Sequence, residues 1–173
     1  MTIAVYPGSF DPVTNGHLDI AARAARVFES VVMAVFDRPN KQLLFSTEER
    51  VALLREATAH MPRVRVDTYS VLTVDYVRSL GATVIVRGLR TVRDFETELQ
   101  MAQIHRTLAP DIDVVLFMAG HQHTFVSSSM AREIASLGGD VSWLVPPHVE
   151  AALRRAYAAR QSGGGDRLSS SIN

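Results

Sequence analysis

The chain has 173 residues, with 18 basic against 18 acidic side chains and no cysteine. A chain of this length suits one domain with a substantial core, and the missing cysteines exclude disulfides, thiolate metal sites and a cysteine nucleophile. Zero net charge argues against a general nucleic-acid binder. The sequence has neither a signal-peptide pattern nor an apolar run long enough for a membrane span, so we expect a cytoplasmic protein without nucleic-acid or membrane partners.

Strand patterns alternate with helix patterns along the chain. The first half contains an apolar strand over 2–6, a helix with one apolar face over 16–28, an entirely apolar strand over 31–36 and a helix that begins with a capping box at 46. The second half adds a strand over 64–69, a short helix over 74–80 and a strand over 83–86. A long helix over 94–108, a strand over 114–118 and two helices over 128–137 and 148–160 follow. This order predicts an α/β fold of three layers, Rossmann-like, with a five-stranded parallel sheet.

The last part of the chain differs in composition from the rest. From Gln161 the sequence reads QSGGGDRLSSSIN, which is polar and rich in glycine and serine. Such a segment has little apolar surface to bury. We therefore expect a single domain over 1–160 and a disordered tail over 161–173.

Several polar segments are expected at one edge of the sheet. Ligands of open parallel α/β sheets bind beyond the carboxyl ends of the strands. The segments that follow the predicted strands are Gly8–Phe10, Asn40–Lys41, Thr73, Arg87–Arg90 and His123–Ser129. They carry hydroxyls, a lysine and two arginines, which are groups that bind phosphates. The sequence therefore predicts a phosphate site at this edge.

The opening loop, YPGSFDPVTNGH, lies between the first strand and the first helix. Gly8 allows the backbone to approach a ligand closely, and Thr14 or Asn15 can cap the helix. The free N–H groups at a helix start attract anions, and His17 in the first turn can stabilise charge on a phosphoryl oxygen. A structural turn with a surface histidine is the alternative, but Thr14–His17 matches the T/H-x-G-H signature of nucleotidylyltransferases in the expected context.

A serine run near the other end of the chain has the same character. Ser127–Ser129 places three hydroxyls at a helix start, where hydroxyls and N–H groups suit a polyphosphate. A plain serine N-cap would explain the run if it stood alone. The run resembles a second nucleotidylyltransferase signature, I-S-S-S/T-x-x-R/K, with Val126 in the place of the isoleucine.

Longer stretches extend this resemblance over about 3–154. The chain resembles the bacterial phosphopantetheine adenylyltransferases in YPGSFDPVTNGHLDI, in Asn40–Lys41, and in FSTEERVALL, VRGLRTVRDFETELQMA and FVSSSMAREIASLGGDVSWLVP. The resemblance implies a nucleotidyltransferase domain that transfers AMP from ATP to 4′-phosphopantetheine, giving dephospho-coenzyme A and pyrophosphate for coenzyme A biosynthesis. It also implies direct in-line transfer, Mg²⁺ accompanying ATP without a protein metal ligand, and a homohexamer.

The resemblance also assigns roles to individual residues. The catalytic residues would be His17, Lys41 and Arg87. The acceptor substrate would be bound by Ser9, Lys41, Thr73, Arg87, Met101 and His105. ATP would be bound by Ser9, Phe10, His17, Gly88, Leu89, Arg90, Glu98, His123, Thr124, Phe125, Val126, Ser127, Ser128 and Ser129. Glu98, Met101 and His105 are spaced i, i+3, i+7, so they share one helix face.

Some positions depart from the family pattern. The family usually has Asn at the position of His105, an aromatic residue at that of His123 and Tyr at that of Thr97. Arg132 could reach the leaving phosphates or form a surface salt bridge. The rival functions are another small nucleotidylyltransferase, such as a nicotinamide mononucleotide adenylyltransferase, and a non-catalytic nucleotide-binding module.

Overall fold

The computed structural model describes residues 2–37, 39 and 42–164, without the side chains of 161–164. Its sheet has five parallel strands in the order β3-β2-β1-β4-β5. The strands are β1 (Ile3–Gly8), β2 (Ser30–Phe36), β3 (Val64–Tyr69), β4 (Val84–Leu89) and β5 (Asp113–Met118). The predicted parallel α/β fold is therefore confirmed.

Helices alternate with these strands and cover both faces of the sheet. They are α1 (Asn15–Val27), α2 (Thr47–Thr58), α3 (Thr73–Ser79), α4 (Val92–Leu108), α5 (Ser128–Ser136) and α6 (Pro147–Gly164), with a 3₁₀ turn over His121–His123. On one face, Leu54 of α2 and Leu153 of α6 pack into a core with Met33. On the other, Val77 of α3 packs with Ile85. Two apolar layers thus enclose the sheet, as its buried strands require.

The order of the strands reverses between β1 and β4. The chain moves outward from β1 through β2 to β3, then returns to place β4 on the other side of β1. Strand β1 pairs with β2 from Ile3 to Gly8, but with β4 at Ala4–Val84 and Val5–Ile85. The two strands therefore separate toward their carboxyl ends, which opens the crevice where ligands of such sheets bind.

The end of the fourth strand differs from the one expected from the sequence. Strand β4 continues beyond Val86 to Leu89, since its backbone pairs with β5 from Val84 to Leu89. Arg87, Gly88 and Leu89 therefore lie on the strand and not in the loop after it. A charged residue and a glycine interrupt the apolar pattern there, which is why the predicted strand ended too early.

The carboxyl end of the chain also differs from the expected boundaries. Helix α6 extends past Arg160 to Gly164, while 165–173 of the expected tail lies outside the described residues. Asn40 and Lys41 lie outside them too. Within the described part of the chain, no helix is both long and apolar enough to cross a membrane.

Candidate active site

A cavity of about 560 Å³ lies at the carboxyl ends of β1 and β4. Its walls come from the loop after β1, the first turn of α1, the end of β4, the inner face of α4 and the start of α5. Because β1 and β4 have separated at this level, backbone as well as side chains reaches the cavity. Its position at the reversal of strand order is that of a ligand site.

The loop after β1 is shaped by the ring of Phe10. This residue adopts φ 46°, in the left-handed region that a residue with a bulky side chain rarely occupies. Its ring packs edge-on against Tyr6 at 5.5 Å and His17 at 5.1 Å between ring centroids. A Cβ atom at Gly8 would lie 2.9 Å from Cζ of Phe10. Glycine at position 8 therefore lets the ring pack over the strand end and against His17.

His17 closes the amino-terminal end of α1 in a capping box with Thr14. The backbone N–H of Thr14 donates to His17 Nδ1 at 3.1 Å, and the hydroxyl of Thr14 lies 3.0 Å from the same nitrogen. The hydroxyl also accepts from the backbone N–H of His17 at 3.4 Å. Since Nδ1 accepts a backbone N–H, the neutral ring carries its proton on Nε2. The capping box thus gives the cavity wall an imidazole N–H donor in a fixed orientation.

Arg87 joins three elements around the cavity. Its Nε and Nη2 donate to the two carboxylate oxygens of Glu98 on α4 at 2.8 and 2.7 Å, and its Nη1 donates to the carbonyl of Pro7 at 2.9 Å. Burial acts to lower the pKa of Arg87, but the hydrogen bond and charge of Glu98 outweigh it, and the pKa is raised. The guanidinium is therefore a fixed positive charge between the separated strands.

Arg90 connects the start of α4 with the serine run. Its side chain pairs with Asp94, at 3.1 Å between Nε and Oδ2, and its Nη1 donates to the carbonyl of Val126 at 3.0 Å. Ser127 is the N-cap of α5 and accepts from the N–H of Met130. Ser128 donates to the carbonyl of Pro12 at 2.8 Å. The start of α5 is thereby held against the cavity.

Arg132 forms an ion pair, but not on the surface. It donates to the backbone carbonyl of Asp11, and its Nη1 lies 3.2 Å from Oδ2 of the same residue. Asp11 is fully buried, and its carboxylate also accepts the N–H groups of Leu44 and Phe45 at 2.9 and 3.0 Å. The pair joins α5 to the loop after β1, while Arg132 still lines the cavity.

Comparison with known proteins agrees with this architecture. Residues 5–134 match the family model described as cytidylyltransferase-like. The phosphopantetheine adenylyltransferase of Roseiflexus sp. (strain RS-1) is 79% identical over 160 residues, which cover 92% of this chain and 100% of the relative. That of Herpetosiphon aurantiacus is 58% identical over 161 residues, which cover 93% and 98% of the two chains. The chain belongs to the phosphopantetheine adenylyltransferase family.

A solved structure extends the comparison to a more distant protein. The Plasmodium falciparum nicotinic acid mononucleotide adenylyltransferase complexed with NaAD matches with a TM-score of 0.66, over 92% of this chain and 97% of that chain. Its sequence identity is 15%. This member of the phosphopantetheine adenylyltransferase family thus shares its fold with that enzyme.

In this member of the phosphopantetheine adenylyltransferase family, most of the site residues expected from the sequence line the cavity. They are Ser9, Phe10, His17, Thr73, Arg87, Gly88, Arg90, Glu98, Met101, His105, Val126, Ser127, Ser128 and Ser129. Leu89, His123, Thr124 and Phe125 are not among its lining residues, and the side chain of Phe125 is 73% exposed. Lys41 lies outside the described residues. The ligand assigned to each of these residues stays a prediction.

Some residues that line the cavity or pack beside it were not found from the sequence. No role was expected from the sequence for Asp11 or Arg50, yet both are buried. The burial of Arg50 could have been predicted from helical spacing, because Arg50 shares the buried face of α2 with Leu54. Tyr69, at the end of β3, also lines the cavity, with its hydroxyl 3.1 Å from that of Thr73.

His105 lies with Glu98 and Met101 on the face of α4 that lines the cavity. Within the described residues, its buried Nδ1 has no hydrogen-bond partner. Burial, followed by the charge of Arg87, lowers the pKa of His105. A neutral histidine therefore stands where the family usually has a neutral amide, so the departure conserves charge at neutral pH.

This lowered pKa predicts a pH-dependent loss of stability. Above about pH 6.5 the side chain is neutral in both states, and below it the unfolded chain takes up a proton before the folded one. The free energy of unfolding should therefore fall as pH drops from about 6.5 through the folded pKa of His105. Urea unfolding at several pH values would show a smaller fall for His105→Asn than for the wild type. A variant of exposed His60, His60→Asn, is the control, and equal pH dependence of wild type and His105→Asn would contradict the expectation.

Proposed function

We propose that the chain transfers AMP from ATP to 4′-phosphopantetheine, forming dephospho-coenzyme A and pyrophosphate in coenzyme A biosynthesis in the cytoplasm. The observation that carries the proposal is the convergence of His17, Arg87 and the starts of α1 and α5 on one cavity. These groups are donors suited to phosphates. The proposal also draws on curated relatives of that name at 79% and 58% identity.

The chemistry follows from the kinds of groups that line the cavity. A phosphate oxygen of the acceptor attacks the α-phosphorus of ATP, and the bond from that phosphorus to the bridging oxygen breaks, so that pyrophosphate leaves with the electron pair. No covalent enzyme intermediate is needed, and the chain has no cysteine to form one. Catalysis then consists of positioning and of stabilising charge on the phosphoryl oxygens.

His17 and Arg87 have distinct roles in this scheme. The Nε2–H of His17 donates to an α-phosphate oxygen as negative charge builds up there, because Nδ1 is committed to Thr14. Arg87 has five N–H donors, of which three are used by Glu98 and Pro7 in the described structure. We assign the remaining donors to the acceptor phosphate. Glu98 acts by orienting Arg87, since both of its carboxylate oxygens accept from it.

Magnesium fits this site as a partner of the nucleotide. The described residues contain no group of three or more His, Cys, Asp or Glu side chains that could hold a metal ion. The acidic side chains that line the cavity, Asp94 and Glu98, are paired with arginines. Mg²⁺ prefers phosphate oxygens and water to all-protein cages, so we place it on the ATP phosphates, where it neutralises charge.

The test of the proposed reaction is pyrophosphate release from ATP and Mg²⁺, with and without 4′-phosphopantetheine. We expect release that requires this acceptor and EDTA-sensitive formation of dephospho-coenzyme A, identified by mass. Nicotinamide mononucleotide and glycerol phosphate serve as matched acceptors. Release with one of these instead would transfer the assignment to another nucleotidylyltransferase. No release with any acceptor, from folded protein that binds ATP, would favour a non-catalytic nucleotide-binding module.

His17→Ala should lower kcat by roughly 10²-fold, because it removes a donor to the transition state. The KM for ATP should change less, since other groups hold the nucleotide. Steady-state kinetics below the melting temperature of the variant would measure both. His60→Ala, which removes an exposed histidine that does not line the cavity, is the control. A wild-type kcat for His17→Ala would remove the imidazole from the mechanism.

We also propose that α4 forms part of an interface between copies of the chain, in a homohexamer. Val92, Phe95 and Leu99 are spaced i, i+3, i+7 and form an exposed apolar stripe beside the face that lines the cavity. Large apolar side chains in such a row are typical of surfaces that become covered. The family resemblance supplies the number of subunits.

Leu99→Asp should dissociate this assembly, because it places a charge in the centre of the stripe. Sedimentation velocity of the wild type should give a hexamer, and the variant should give smaller species. The control is Val27→Asp, which changes an equally apolar exposed residue on α1. A monomeric wild type, or dissociation by Val27→Asp to the same degree, would contradict the proposal.

A further inference from the structure

Arg50 is a charged residue that the proposed mechanism does not use, and yet it is 1% exposed. It lies on α2 and does not line the cavity. Burying a guanidinium is costly unless its donors find acceptors. Burial lowers the pKa of Arg50, against the opposing charges of Asp11 and Asp37. The hydrogen bonds of Arg50 should therefore explain why a charged residue is buried at this position.

The contacts of Arg50 lie at the edge of the sheet where the cavity opens. Its Nη1 donates to the carbonyl of Ser9 at 2.8 Å and to that of Phe36 at 2.9 Å, and its Nη2 donates to the hydroxyl of Thr47 at 2.7 Å. Phe36 is the last residue of β2, and Ser9 directly follows β1. One guanidinium therefore joins the carboxyl ends of two neighbouring strands.

The carbonyl of Ser9 belongs to the peptide that precedes Phe10. Phe10 has φ 46°, a conformation that is unfavourable for a residue with a side chain and persists only when its surroundings hold it. The hydrogen bond from Arg50 fixes the plane of this peptide on one side. On the other side, the ring of Phe10 contacts that of His17 at 5.1 Å between centroids. A continuous path of contacts thus runs from Arg50 to two residues that line the cavity.

We propose that Arg50 is a positioning residue for the reaction: it holds the Ser9–Phe10 peptide, and through it the side chain of Ser9 and the ring of His17. The inference rests on the proposed function for its kinetic effect but not for its structural effect. Arg50 does not touch substrate. Its contribution is to keep an unusual backbone conformation in the orientation that the site needs.

The test compares Arg50→Met and Arg50→Lys with Leu54→Ala. Leu54 is fully buried on the same helix, and its aliphatic side chain cannot donate a hydrogen bond to Ser9, so its variant reports on loss of stability alone. Arg50→Met should lower kcat by roughly 10- to 100-fold, the size expected for a small misplacement of reacting groups. Arg50→Lys should lose less, since an ammonium can reach one carbonyl. Leu54→Ala should lower the melting temperature and leave kcat unchanged at temperatures where it is folded.

A second readout does not depend on turnover. The ring resonances of His17 in ¹H–¹³C NMR spectra should shift in both Arg50 variants and stay in place in Leu54→Ala. If Arg50→Met does not fold, Arg50→Lys carries the same two measurements. A kcat and a His17 resonance that are unchanged in Arg50→Met, or in Arg50→Lys where Arg50→Met does not fold, would overturn the positioning role. Changes that Leu54→Ala reproduces would overturn it as well. Should the wild type fail to make dephospho-coenzyme A, the proposed function falls, and the NMR shifts still decide for or against the role of Arg50.

Discussion

The separation of β1 from β4 is the constraint on which the site depends. The two strands pair at two levels and then diverge, because the chain continues from β1 to one side of the sheet and builds β4 on the other. The gap that results would leave backbone groups of both strands without partners. Arg87 crosses it and binds the carbonyl of Pro7, while Glu98 holds the guanidinium from α4. The same side chain thus completes the fold and supplies a charge to the cavity.

Cationic groups around the cavity are held by carboxylates or carbonyls of other elements. Arg87 pairs with Glu98, Arg90 with Asp94 and Arg132 with Asp11. Each pair restrains a flexible side chain, so that little conformational entropy remains to be lost when a ligand binds. Because each arginine is paired with a carboxylate, the net charge of the described part of the cavity is also closer to zero than the arginines alone would make it. Donors at helix starts and on His17 therefore matter as much as full charges.

The sequence was sufficient for the fold because apolar periodicity and the alternation of elements are local signals. It also placed Glu98, Met101 and His105 on one helix face, which lines the cavity in the structure. Prediction from the sequence failed where the environment of a residue is set by partners far away in the sequence. Strand β4 was ended too early because Arg87 looks unsuited to a buried strand until Glu98 is brought beside it. No role was expected for Arg50 or Asp11, since their acceptors and donors come from other parts of the chain.

The capping box at the start of α1 ties the orientation of an imidazole to the winding of a helix. A half-turn of the ring of His17 would remove Nδ1 from the N–H of Thr14 and leave that amide without its acceptor. A flip of the ring would therefore break the capping box, so the same ring nitrogen is presented to each successive substrate. A design that moves the tetrapeptide Thr14–His17 into another parallel sheet would also need the first turns of α1. The loop alone supplies the histidine, but the helix is needed to fix the orientation of its ring.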